Sequence, residues 1–315
     1  MIESIFIQNF FRFGGSYIYN QITENNNNVV GFYEPFHEYL SNHKRIEEEE
    51  KIFLEKSKRL RHFNKNFYFS NFPFEFDWFQ HFHTNNNLGI NYFHHSFEDV
   101  INCKEYLKSL IIYAKQKNLL PVFKINRIYF SPQILELKKT FNIFLIRQPV
   151  SSFFSNIDLN FLKPYYKNIN TQYMKNSQPF YDLWQVIENK NLKEILIKNN
   201  QLHFEGKEQL MLHYSIFFFL WIYGLSKNID KKNFIINYDY LSDKEYSRSI
   251  QKEFNTKTNL ILNLDNFIQT DNKLHRMELN VIKEVYDLII KYINYDKLKE
   301  ELKISNCQNL LNYMP

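Results

Sequence analysis

Only two cysteines occur in 315 residues, Cys103 and Cys307, and they lie far apart with no Cys-x-x-Cys spacing. Neither a disulfide framework nor a zinc knuckle is indicated, and a reducing, cytoplasmic setting is the expectation. A large excess of either charge is missing as well. The formal net charge is +5 and the basic residues are scattered, which argues against nucleic-acid binding and for a local anionic ligand. No apolar run is long enough to span a membrane. The best stretch, Ser215 to Leu225, contains Phe217, Phe218, Phe219, Leu220 and Trp221, but it is short, lies between charged flanks and reads as a buried core helix. The first residues lack the basic flank and cleavage site of a secretory leader, and Glu3 and Gln8 interrupt their apolar run. Internal repeats and convincing linkers are missing too, so the expectation is one α/β domain over residues 1–315.

What is present alternates. Short β-prone runs at Ile5 to Phe11, Val29 to Tyr33, Leu119 to Phe123, Phe141 to Ile146 and Phe234 to Tyr238 predict strands. Between them, apolar spacing such as Val100, Ile101, Tyr106, Leu107, Leu110 and Ile111 predicts a core-facing helix over about 97–118. Further helices are expected at 16–22, 39–62, 132–140, 150–156, 180–199, 207–228, 241–254 and 277–303, whereas the aromatic-rich region 63–95 reads as irregular. Strands alternating with helices imply a doubly wound parallel sheet flanked by helices.

The stretch around which the chain is organised is residues 4 to 16. A buried strand there runs into Gly14-Gly15, and Ser16 opens a helix through Tyr17 and Ile18. Glycines permit positive φ and close backbone approach, and a helix start presents unpaired N–H groups that favour a phosphate or sulfate. Three strands end in cations: Arg12 after the first, Lys124 and Arg127 after the third, Arg147 after the fourth. In a parallel sheet all lie at one edge. A P-loop nucleoside triphosphatase would need Gly-x-x-x-x-Gly-Lys-Ser/Thr and a strand ending in Asp to hold Mg²⁺; here no lysine follows the glycines, and the corresponding strand ends in Arg147. Arginine binds anions bidentately and metals not at all. His81, His83, His94 and His95 have metal-like spacing but no carboxylate shell, and they read as surface or cleft histidines. Such a set suits a nucleotide with more than one phosphate and a transferred group that requires no metal, such as a sulfuryl group.

These residues resemble a known family. Arg12-Phe13-Gly14-Gly15-Ser16 is similar to the 5′-phosphosulfate loop of sulfotransferases that use 3′-phosphoadenosine 5′-phosphosulfate, usually Arg-Ser-Gly-Thr-Thr or Ser. Arg147-Gln148-Pro149 with Ser155 six positions after the proline resembles their 3′-phosphate motif, usually Arg-Asp-Pro followed by a serine at that spacing. Glu34-Pro35 lies where carbohydrate and bacterial members often carry Glu-Pro. The likeness covers about residues 4–160, and it implies a P-loop-like α/β fold with 63–95 and 156–230 on the acceptor side. By resemblance, Arg12 and Ser16 hold the 5′-phosphate within a loop that includes Phe13, Gly14, Gly15 and Tyr17. Arg147 and Ser155 hold the 3′-phosphate, and Lys124 to Arg127 form the basic turn of the middle strand. Glu34 is the general base, with His37 as the second choice. The implied donor is 3′-phosphoadenosine 5′-phosphosulfate and the implied acceptor a sugar or glycan hydroxyl, with the rings of 63–95 available to stack on sugar faces. Phe13, Gly15 and Gln148 depart from the pattern, the first two by removing hydroxyl donors. Residues 265–276, with His275 and Arg276, stand where a closing loop would be. Two other readings remain open: a non-catalytic nucleotide- or glycan-binding protein on the same scaffold, and a P-loop kinase.

Overall fold

The structure, a computed structural model, describes residues 2–10, 13–41, 46, 48, 51, 69–85, 95–157, 177–189, 207–230, 232–265, 267, 287–305 and 307–313. Five strands, β1 (Ser4–Asn9), β2 (Val29–Tyr33), β3 (Leu120–Ile125), β4 (Thr140–Ile146) and β5 (Phe234–Asn237), form one sheet. Its order is β2-β3-β1-β4-β5, and every pairing is parallel. β1 is therefore the central strand. Its Ser-Ile-Phe-Ile-Gln-Asn run is buried throughout, as expected of a strand covered on both faces. The connections from β1 to β2 and from β3 to β4 each pass over one neighbour, so the chain leaves the centre in opposite directions on either side of β1.

Strand alternation sorts the side chains between two layers. Ile5 and Ile7 of β1 face a core that includes Tyr17, Ile18 and Ile22 of helix α1 (Gly15–Glu24). Phe6 faces the opposite core, with Leu107, Leu110 and Ile111 from another helix. On that second face Phe6, Phe123 and Phe32 stack across three strands, with ring centroids 4.8 and 5.2 Å apart.

In the second layer lie α2 (Asp77–Asn85) and α3 (Phe97–Gln116). Ser96 caps α3 in a capping box with Asp99. The region 63–95, expected to be irregular, contains α2, because Phe79, Phe82 and His83 recur at helical spacing on its buried face. The first layer holds α4 (Pro149–Ile157), α5 (Gln178–Asn189), α6 (Lys207–Asn228), α7 (Lys244–Thr258) and α8 (Tyr295–Ile304). α6 is apolar on all sides over Tyr214 to Leu225 and accordingly buried, which agrees with its sequence reading. Two expectations need correction. Between Pro132 and Thr140 only Pro132–Leu135 is helical, as a 3₁₀ turn. The helix expected over 277–303 is interrupted: 287–289 are helical, 290–294 are not, and α8 restarts at Tyr295, where Asn294 accepts from the Lys297 N–H, while 277–286 lie outside the described residues. Much of 39–62, 190–199 and 268–286 lies outside the described residues. Among the described residues no helix is long and apolar enough to cross a membrane.

Candidate functional site

All five strands end at one edge, and the chemistry-bearing residues collect there around the start of α1. β1 stops at Asn9, two residues earlier than its apolar run predicts, because Phe10 and Phe13 turn into the core, where Phe10 packs on Phe13, Tyr129 and Phe217. Gly14 then takes φ 89°, a left-handed conformation natural to glycine, and serves as the N-cap of α1. A Cβ at Gly14 would lie 1.9 Å from the Tyr238 ring, and one at Gly15 would lie 1.9 Å from Asn9 Oδ1. Both glycines are thus demanded by close approach. The first turn of α1 directs its N–H groups toward this edge. Arg12 lies outside the described residues.

On one side of this turn the contacts run to a buried ion cluster. Ser16 Oγ and the Tyr33 hydroxyl share a hydrogen bond of 2.6 Å, and Lys124 Nζ sits 4.6 Å from the centre of the Tyr33 ring. Lys124 Nζ donates to Glu34 Oε1 at 2.6 Å, Arg127 Nη1 donates to Oε2 at 3.2 Å, and the Asn126 backbone N–H reaches both oxygens at 3.2 and 3.3 Å. The three charged side chains are 3–5% exposed. Lys124 and Arg127, read from the sequence as strand-end cations, are partners of Glu34 in the interior. Glu34 also holds φ 49° immediately before Pro35, a backbone conformation that costs on the order of 1–3 kcal/mol and survives only where surroundings impose it. The turn that follows is closed by the His37 N–H donating to the Glu34 carbonyl. His37 is half-buried; its Nδ1 accepts from the Tyr39 N–H at 3.2 Å, and its ring packs on Tyr39 and Phe69.

On the other side the contacts run to Arg147. Tyr238, whose ring edge fills the space above Gly14, has the Arg147 guanidinium 5.1 Å from its centre. Asp239 places Oδ1 3.8 Å from Arg147 Nε, while its Oδ2 accepts from the Gln148 N–H at 2.6 Å. Burial pulls Arg147 down from its ordinary value and pushes Asp239 up to about 6, each opposed by attraction to the other. The Trp221 indole N–H donates to the Arg147 carbonyl at 2.9 Å, so α6 fixes the end of β4. α4 opens directly after this point with Pro149 at its start.

Of the predicted residues, Gly14, Gly15, Ser16, Glu34, Arg127 and Arg147 meet at this edge. Phe13 turns its ring fully into the core, and Tyr17 is buried on α1 with its ring edge-on to Phe267. Ser155 lies half-buried on α4, with Ser151 and Ser152 buried in the preceding turn. His81 and His83 lie on a helix rather than a strand, so their rings diverge. His83 is buried against Tyr106, and His95 bonds Ser131, while His94 is outside the described residues. Sequence reasoning missed Tyr33, Tyr238, Asp239 and Trp221. The first three could have been found by the strand-end rule applied to β2 and β5 as it was to the other strands.

Among the described residues no group of three or more His, Cys, Asp or Glu side chains could hold a metal. Comparison with protein-family models, curated proteins and solved structures finds no match to this chain.

Proposed function

We propose that this chain is a sulfotransferase, moving a sulfuryl group from 3′-phosphoadenosine 5′-phosphosulfate to a hydroxyl of a sugar or glycan on a P-loop-like sheet. The observation that carries the reading is the bridge through Tyr238. Gly14 of the first motif and Arg147 of the second touch the same ring, and this closeness supports one site reached from both motifs by a nucleotide with a phosphate at each end. The strand order, with a glycine turn after the central strand, supports the P-loop-like assignment.

In the proposed reaction the acceptor oxygen attacks sulfur, the bond from sulfur to the 5′-phosphate oxygen breaks in line, and the hydroxyl proton passes to a base. The start of α1, with Ser16 and Arg12, takes the charge that develops on the departing phosphate oxygen. Arg147 pairs with the 3′-phosphate, with Ser155 as its companion. Both Glu34 oxygens are already engaged by Lys124, Arg127 and Asn126, so accepting a proton would require releasing a cation. That occupancy favours His37 as base and gives Glu34 the task of holding two cations at the strand ends. The acceptor class rests on Glu34-Pro35 and on the more open rings of 63–95, since Phe69, Phe72, Phe79 and Phe82 are buried whereas Phe76 is exposed and Phe74 and Trp78 are partly so.

The engaged carboxylate also favours the second reading, a non-catalytic anion-binding protein on this scaffold. Turnover of labelled donor over a panel of sugars decides. Transfer by the wild type that His37→Ala reduces by about 10²-fold or more supports catalysis with His37 as base. Binding of donor without transfer to any hydroxyl supports the second reading.

A further inference from the structure

Asp239 has no part in the chemistry above, yet it is nearly buried at the end of β5 beside the guanidinium on which nucleotide binding depends. One of its oxygens is committed to the Gln148 N–H, next to Arg147 in the chain, which fixes the carboxylate to the β4 end. The other, Oδ1, points at Arg147 Nε from 3.8 Å and makes no hydrogen bond among the described residues. A guanidinium has more than one edge for bidentate contact, and Asp239 stands on the Nε side of Arg147.

We propose that Asp239 is the positioning residue for Arg147, taking the Nε side of the guanidinium so that its outer edge is presented to an anionic oxygen, a phosphate in the reading above. The inference rests on that reading for the identity of the anion but not for the coupling itself. The ionised carboxylate orients the guanidinium; the protonated one does so less. The groups that face Asp239 are Arg147 from β4, the Gln148 N–H, Tyr240 beside it and Cys307 from the C-terminal segment. Tyr240 is raised from its ordinary value and Cys307 up to about 12, both largely by burial, so neither changes charge between pH 5 and 8. The orienting effect is therefore expected to fade as pH falls through about 6, where Asp239 takes up its proton.

Asp239→Asn keeps a side-chain oxygen for the Gln148 N–H and removes the charge from the Arg147 side. Binding of 3′-phosphoadenosine 5′-phosphate to the wild type and to Asp239→Asn is measured at several pH values between 5 and 8. Their affinity ratio cancels titration of the ligand. The ratio is expected to be about tenfold in favour of the wild type at pH 7.5 and to approach one at pH 5. A ratio of one at every pH, or tighter binding by Asp239→Asn, overturns the proposal. Absence of bisphosphate binding by the wild type overturns the nucleotide reading instead, and the coupling is then read from the Arg147 Nε–H resonance by NMR. A wild-type titration with its midpoint near pH 6 that Asp239→Asn abolishes upholds the positioning role. A resonance indifferent to both pH and the substitution overturns it.

Discussion

Glu34 is where local strain, charge and burial meet. Removing its carboxylate in Glu34→Ala strands two cations in the interior, and breaking a buried ion cluster in this way costs about 3–5 kcal/mol. Urea unfolding monitored by circular dichroism is expected to show a loss of that size, whereas a loss below about 1 kcal/mol would mean the cluster is solvated. Gly14→Ala is expected to disturb the site more than the fold. The added methyl group meets the Tyr238 ring, and φ 89° disfavours any L side chain, so bisphosphate affinity measured by calorimetry should fall together with thermal stability. The cations at strand ends were legible because parallel strands carry their carboxyl ends to one edge. Their pairing was not, since nothing in Lys124 or Arg127 says that Glu34, about 90 positions earlier, is the partner. Asp239 was missed for a related reason: it follows the shortest strand, and its role exists only through β4.

At the scale of elements, α6 shows how a helix far along the chain shapes the site. Trp221→Phe keeps an aromatic ring but leaves the Arg147 carbonyl without its indole donor and part of the buried indole volume empty, with an expected cost of about 1–3 kcal/mol or more. Bisphosphate affinity is expected to fall along with stability in this variant. An unchanged affinity in a destabilised protein would show that the end of β4 is held by its sheet pairing alone. β4, β5 and α6 were readable as near-continuous apolar runs because full burial removes the polar face. α2 was not read, since aromatics crowd the whole stretch around it and hide the spacing of Phe79, Phe82 and His83. The extent of β1 was overestimated because Phe10 and Phe11 continue its apolar run. Phe10 belongs instead to the turn, its ring packed among Phe13, Tyr129 and Phe217.

For the molecule as a whole, pH dependence follows from two buried groups of opposite sign. His83 is brought down from 6.5 to about 3 by burial, so below pH 6.5 the unfolded chain takes up a proton that the folded one refuses. Stability is therefore lost as pH falls from about 6.5 toward 3. Asp239, raised from 3.8 to about 6, keeps a proton in the fold that the unfolded chain releases, so its contribution declines as pH rises from about 4 to 6. The two oppose each other between about pH 4 and 6. Replacing His83 by Gln is expected to flatten the acid side of a stability-against-pH curve, leaving a residual slope of the opposite sign; an unaltered acid limb would place the acid sensitivity elsewhere.

The central claim is that Gly14 and Arg147, joined by Tyr238, frame one nucleotide site. Calorimetric titration with 3′-phosphoadenosine 5′-phosphate tests it most directly, with ATP and Mg²⁺ as the competing nucleotide and Arg147→Ala as the second protein. Binding of the bisphosphate in preference to ATP, lost in Arg147→Ala, is the predicted result. No binding of the bisphosphate, or binding that Arg147→Ala leaves intact, would contradict the account.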